Sequence, residues 1–221
     1  MNYYQYSRLT FNDVFQFLNA GWVTLSLTLL SIFLGTVLGT VLGLIRCSKN
    51  KAVSALPLLL IEPLRNSPLV AQLFLIYFGL PTVGLIMLDA FSAAVLAISL
   101  NTAAFFAVLV HNSVISIPQT QWEAGYALGH GRLSVFRHII LQQSLRLLIP
   151  QAITLYITQL QCTSLVSLIS LIDLTKLGQN LSNRTLQPFL IWGIVFVVYF
   201  ALSYPFSRLS KYLEKRFAFD Y

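Results

Sequence analysis

Five stretches of this chain carry no Asp, Glu, Lys or Arg: residues 14–45, 66–88, 90–122, 147–172 and 185–207. Each is longer than the roughly 20 residues an α-helix needs to cross a hydrocarbon core. Inside lipid, every backbone N–H and C=O must find its partner within the protein, and a helix satisfies them within one segment. Composition agrees. The 221 residues are 57% hydrophobic and 10% charged, against about 25% charged in an ordinary soluble domain. Such a chain cannot cover a water-facing surface, which excludes a soluble enzyme. The expectation is an all-α integral membrane protein, a single transmembrane domain over 1–221, with spans near 17–45, 55–80, 87–114, 145–172 and 187–208. The second span starts ahead of its charge-free window, because 55–80 reads as one apolar stretch despite Glu62, Arg65, Pro57, Pro63 and Pro68. Those residues mark it as irregular. The segment before Trp22 has one Arg, one Asp and no basic leader, so the first run is read as a span and not as a cleavable signal peptide.

Basic residues set the orientation. With the N-terminus outside, the inner segments hold Arg46, Lys49, Lys51, Arg132, Arg137, Arg146, Arg208, Lys211, Lys215 and Arg216, and the outer ones hold Arg8, Lys176 and Arg184. Ten against three, with Arg65 inside the second span, favours the N-terminus outside and the C-terminus in the cytoplasm. The net charge of +7 lies between and after apolar runs and forms no stripe, so it speaks for topology and against a nucleic-acid partner. The cluster from Arg208 to Arg216 reads as a juxtamembrane anchor for the headgroups of the bilayer. Cys47 and Cys162 lie too far apart for a zinc or disulfide framework. His111, His130 and His138 have no ligand spacing, so no metal and no cofactor is expected. Gly35, Gly39 and Gly43 recur every fourth residue, which lets another helix approach closely, within the subunit in the first instance.

The stretch between spans three and four carries the strongest local signals. Ser116 and Gln119, three apart, suit a capping box, with Pro118 tolerated in the first turn. A short helix should end at Gly129, and His130-Gly131 should turn into a second short helix through Phe136, Ile139 and Ile140. Residues 116–141 thus form a helical elbow. Trp122 and Tyr126, four apart, put aromatic surface on one face, either for a protein partner or for lipid headgroups.

These residues carry a resemblance. Glu123-Ala124-Gly125, then Gly129, then Ile139-Ile140-Leu141 match the spacing of the cytoplasmic loop of ABC importer permeases, written EAA, three residues, G, nine residues, I, any residue, L, P. Gly125 stands in place of the second alanine and Gln142 in place of the proline, so the second elbow helix should run straighter into span four. The stretches from Glu62 to Pro81 and from Thr163 to Ser167 resemble the polar amino-acid branch of that family. The resemblance implies the type I importer permease fold, translocation of an amino acid, and a bacterial inner-membrane location. It also implies three partners: an ATP-binding cassette ATPase dimer that docks on Trp122, Glu123, Ala124, Gly125, Tyr126 and Gly129, a second permease subunit, and an extracytoplasmic solute-binding protein. The residues agree on one point. No G-x-x-x-x-G-K-[ST] phosphate loop occurs, so ATP hydrolysis is expected in another chain and this one is not an enzyme.

Polar residues inside spans are costly and tend to line a pathway or pair with one another. Glu62 and Arg65, three apart, are read first as an ion pair and second as a substrate contact. Asn101, with Ser99 and Thr102, and Gln159, Gln161, Thr163 and Ser164 in span four lie nearest mid-membrane and are the candidates for a wet central site. Relatives of the amino-acid branch commonly place an acidic residue and an arginine at Val108 and His111, and a Lys-Asp pair at Gln161 and Cys162. Losing both members of each pair together avoids a lone buried charge. This leaves a weakly charged pathway and favours a heterodimer, whose other permease keeps the acidic residue. A permease for methionine or another small solute, and an ATP-independent channel or secondary transporter, stay as alternatives.

Overall fold

The computed structural model describes residues 9–217; Arg8, counted above on the outer side, lies outside them. Among the described residues there are helices and no strands. Four helical segments are long and apolar enough to cross a membrane, and a fifth candidate is a pair of helices bent by 99° at a short break. The first, α1 (Phe11–Arg46), would be about 54 Å long at 1.5 Å per residue. It opens on Asp13, whose Oδ2 accepts the Thr10 amide at 2.7 Å.

The core is α6 (Ala90–Ile115). In its most apolar window 72% of the residues are buried, against 17% in α11 (Pro188–Phe217). Small residues make that central position reachable: Ala93, Ala94, Ala97, Ala103, Ala104 and Ala107 are all fully buried. The glycine stripe of α1 lies directly on α6. A Cβ on Gly35 would come within 2.5 Å of Thr102 Cβ, one on Gly39 within 2.7 Å of the Ala103 carbonyl, and one on Gly43 within 2.6 Å of the Ala107 carbonyl. The stripe is an intrasubunit seam, where two backbones meet too closely for any side chain.

The irregular second span is a broken one. The chain runs through α2 (Lys51–Ala55) and α3 (Leu58–Arg65), bends, and resumes in α4 (Leu69–Phe74), which passes through a π-turn (Leu75–Gly79) into α5 (Leu80–Thr82). Pro68 causes the break. It has no amide to donate, disfavours helical Ser67, and itself sits extended at ψ 138°.

The elbow differs from expectation at its start. There is no capping box: Pro118 is itself the N-cap of α7 (Gln119–Ala127), without a side-chain bond, and the Ser116 hydroxyl turns back to the Asn112 carbonyl at 2.7 Å. The tail of α6 captures Ser116 before it can reach forward. The second elbow helix is not separate either. The α8 segment (Arg132–Val135) continues through a π-turn (Phe136–Ile140) into α9 (Leu141–Cys162) and a 3₁₀ turn (Thr163–Ile169) without a break. At the opposite end, α10 (Leu174–Thr185) packs Leu174, Leu177 and Leu181 against Ala20 of α1 and Ile191 of α11. Asp173 caps it by accepting the Lys176 amide at 2.8 Å.

Candidate functional site

The break in the second span exposes backbone carbonyls that a continuous helix would have used. Gln72 meets them: its Nε2 donates to the Leu64 carbonyl at 2.7 Å, the Ser67 carbonyl at 3.1 Å and the Ser67 hydroxyl at 3.0 Å. Its Oε1 then accepts from Asn101 Nδ2 on α6 at 3.3 Å, and Asn101 Oδ1 accepts from Gln159 Nε2 on α9 at 3.2 Å. Three buried carboxamides therefore join three spans through one asparagine that is 6% exposed. Gln159 Oε1 is buried with no partner, and so is Arg65 Nε. Arg65 stands three residues before Pro68 at the break, and Gln159 Oε1 lies at the far end of the row of carboxamides.

The other expected site residues fall in different surroundings. Thr102 is fully buried on the Gly35 seam and bonds to the Ile98 carbonyl at 2.7 Å. Thr163 is fully buried and bonds to the Leu160 carbonyl at 2.6 Å. Gln161 is exposed; Cys162 and Ser164 are half-buried. Glu62 and Arg65 do not form the expected ion pair. Glu62 is exposed and accepts from Asn66 Nδ2 at 2.8 Å, while the Arg65 guanidinium lies 5.6 Å from the centre of the Phe105 ring. The bend turns Asn66 back over Glu62 and leaves the arginine to the aromatic face. Gln72 is the residue that sequence reasoning missed. A polar side chain four positions after Pro68 in an apolar run was the signal available.

At the elbow, Gly129 has φ +81°. Its amide bonds to the Tyr126 carbonyl at 2.9 Å and the His130 amide to the Gly125 carbonyl at 3.2 Å, a complete Schellman motif. Gly125 is buried, and a Cβ there would lie 2.8 Å from a Val135 methyl. That contact is why glycine stands where an alanine was expected: α7 and α8 touch at this point. Trp122 stacks on Phe136 with ring centroids 6.4 Å apart, and Glu123, Ala124 and Tyr126 are exposed beside it. Gln143 Nε2 of α9 donates to Gln121 Oε1 at 3.2 Å, which ties α7 to the spanning helix.

A bundle of apolar helices with a broken span, a polar knot beside the break and a helical elbow at one end is the architecture of a membrane-spanning transport subunit. The chain belongs to the inner-membrane components of binding-protein-dependent transport systems, whose family model matches residues 32–219. It is thus a multi-pass inner-membrane permease of an ABC importer, a transport component with ATPase and binding-protein partners. It is 31% identical over 194 residues to the L-cystine transport system permease protein TcyB of Bacillus subtilis, covering 87% of this chain and 82% of that one. With the glutamine transport system permease protein GlnP of Escherichia coli it shares 32% identity over 195 residues, covering 88% and 89%. A crystal structure of an amino acid ABC transporter with histidines superposes with a TM-score of 0.83 at 28% identity, over 95% of this chain and 99% of that one. The MetNI methionine ABC transporter, at 20% identity and a TM-score of 0.72 over 93% and 99%, shares the fold.

Proposed function

We propose that this permease carries an amino acid across the membrane, past the polar knot at the broken span, with ATP hydrolysed by a separate ATPase dimer that docks on the elbow. Relatives named for cystine and glutamine support the substrate class. One observation carries the mechanism: the bond between Gln72 and Asn101 ties the break to the central helix. Discontinuous helices in transporters expose backbone dipoles and polar side chains at mid-membrane, where a charged solute can be met without a fixed counter-charge. In this reading Asn101, with Gln72 and Gln159, contacts the solute, Arg65 meets its carboxylate, and Gln161, Cys162 and Ser164 line the half nearer α10. Glu62, Thr102 and Thr163 hold the walls.

The elbow and the basic C-terminal end lie on the cytoplasmic side, with the N-terminus outside and the solute-binding protein delivering to the α10 end. Glu123 and Ala124 face the ATPase, Trp122, Gly125 and Tyr126 shape the docking helix, and Gly129 fixes its angle. A second, non-identical permease completes the pathway and supplies the acidic group that this chain lacks at Val108.

Uptake into vesicles with saturating binding protein tests the reading. Asn101→Ala deletes three hydrogen bonds of that side chain, each worth about 0.5–1.5 kcal/mol, and is expected to lower uptake several-fold while the complex still assembles. Unchanged uptake in this variant and in Gln72→Leu would remove the knot from the pathway.

A further inference from the structure

A cavity of about 550 Å³ opens at the elbow end, apart from the polar knot. That size is within the roughly 300–1,000 Å³ of small-molecule sites. Its apolar wall comes from Leu44, in the last turns of α1, and Val114 of α6; Trp122 and Tyr126 of α7 close another side. Lys49 and Arg132, both exposed, are its charged lining residues, and no Asp or Glu lines it. Leu44 also continues a row of exposed apolar residues on α1, with Val41 and Val37 about one and two turns away. The wall of the cavity is therefore continuous with an exposed apolar face of a spanning helix.

We infer that this cavity binds the headgroup of an anionic phospholipid. The phosphodiester meets Lys49 and Arg132, the glycerol region lies against Trp122 and Tyr126, and the first methylenes run along Leu44 toward the exposed row. Basic pockets on the cytoplasmic side of spanning helices suit anionic headgroups, and Trp and Tyr are the side chains of the membrane interface. The ATPase is the other conceivable occupant, but the geometry of α7 assigns it a different face. At about 100° per residue, Gln119, Trp122 and Tyr126 share the cavity side. Gln121 and Gly125 turn toward Gln143 and Val135. Thr120, Glu123, Ala124 and Ala127 are left on a third, exposed side for the ATPase. The inference rests on the cytoplasmic placement of the elbow proposed above. Its lipid preference is nevertheless measurable without that placement, because a vesicle offers the lipid in both leaflets.

The assembled transporter is equilibrated in phosphatidylcholine vesicles that contain a minor share of phosphatidylglycerol, extracted gently, and its retained lipids are counted by mass spectrometry. Phosphatidylglycerol is expected to be enriched above its bulk share. Lys49→Gln and Arg132→Gln should each cut that enrichment roughly fivefold. The charge-keeping pair Lys49→Arg and Arg132→Lys should retain it, and so should Lys176→Gln on α10 at the opposite end, which does not line the cavity. No enrichment, an equal loss in Lys176→Gln, or displacement by free glycerol phosphate would overturn the proposal. Enrichment that is absent from the assembled transporter but present once its ATPase is stripped away would do the same and hand the cavity to the protein partner.

Discussion

Gly125 and Gly129 sit four apart on one elbow and are glycines for different physical reasons. At Gly125 the space is filled by Val135, so a Cβ has nowhere to go. At Gly129 the surroundings are open and the constraint is φ +81°, which disfavours every side chain with a Cβ. The two substitutions should therefore separate. Gly129→Val strains the backbone by about 1–2 kcal/mol and is expected to uncouple: substrate-stimulated ATP hydrolysis falls while insertion and the α7–α8 contact persist. Gly125→Ala, in contrast, should push α7 away from α8 and expose the Trp122 stack, seen as a red shift of tryptophan emission. If Gly129→Val kept full stimulated hydrolysis, the elbow angle would not matter to coupling. The spacing of Gly129 was legible in the sequence because a helix stop is a local event. The reason for Gly125 was not, since Val135 reaches it only across the turn.

At the scale of elements, α10 packs on α1 and is also tied to it by an ion pair, Arg184 to Asp13 at 2.6 Å, between residues 171 positions apart. Burial by itself would raise the Asp13 pKa, but hydrogen bonds from Arg184 and Thr10 outweigh it and the carboxyl titrates below its ordinary value. A depressed carboxylate stabilises the fold above its unfolded pKa of about 4, and that stability is lost as pH falls through the folded value. Asp173, at the other end of α10, acts in the opposite sense. Its burial raises the pKa despite hydrogen bonds from Lys176 and Tyr199, so its share is full in acid and lost as pH rises. Asp13→Asn isolates the first effect. It is expected to cost about 1–3 kcal/mol near neutral pH, between a surface and a fully buried pair because Arg184 is still 29% exposed. Melting curves of the purified protein at pH 7 and pH 3 should show that gap narrow in acid. A gap that stayed constant would place the acid sensitivity elsewhere. Nothing in the sequence paired Asp13 with Arg184; eight helices, α2 to α9, separate them along the chain, and only the packed bundle brings them together.

For the whole molecule, the charge asymmetry fixes a testable orientation. In a background without Cys47 and Cys162, Asn180→Cys on α10 should react with an impermeant thiol reagent added outside intact cells. Asn50→Cys, beside the elbow, should react only after the membrane is opened. Labelling of Asn50→Cys in intact cells would reverse the topology and move the binding-protein face to the elbow. Cys47 is a poor substitute probe, because burial pushes its thiol up against the opposing effect of Arg46, which lowers the reactive thiolate.

The sequence by itself determined what repeats or acts locally. Lipid demands unbroken apolar runs, so the spans were legible; a left-handed helix end demands glycine, so the elbow was legible; a proline after Asn66-Ser67 demands a break, so the second span was known to be irregular. Tertiary structure alone decided which polar groups meet. Glu62 and Arg65 share a helical turn yet part company, because the bend offers Asn66 to one and Phe105 to the other. Gln72, Asn101 and Gln159 stand 29 and 58 positions apart along the chain from one to the next. They meet because the break leaves carbonyls at one depth, and a membrane interior offers no water to satisfy them.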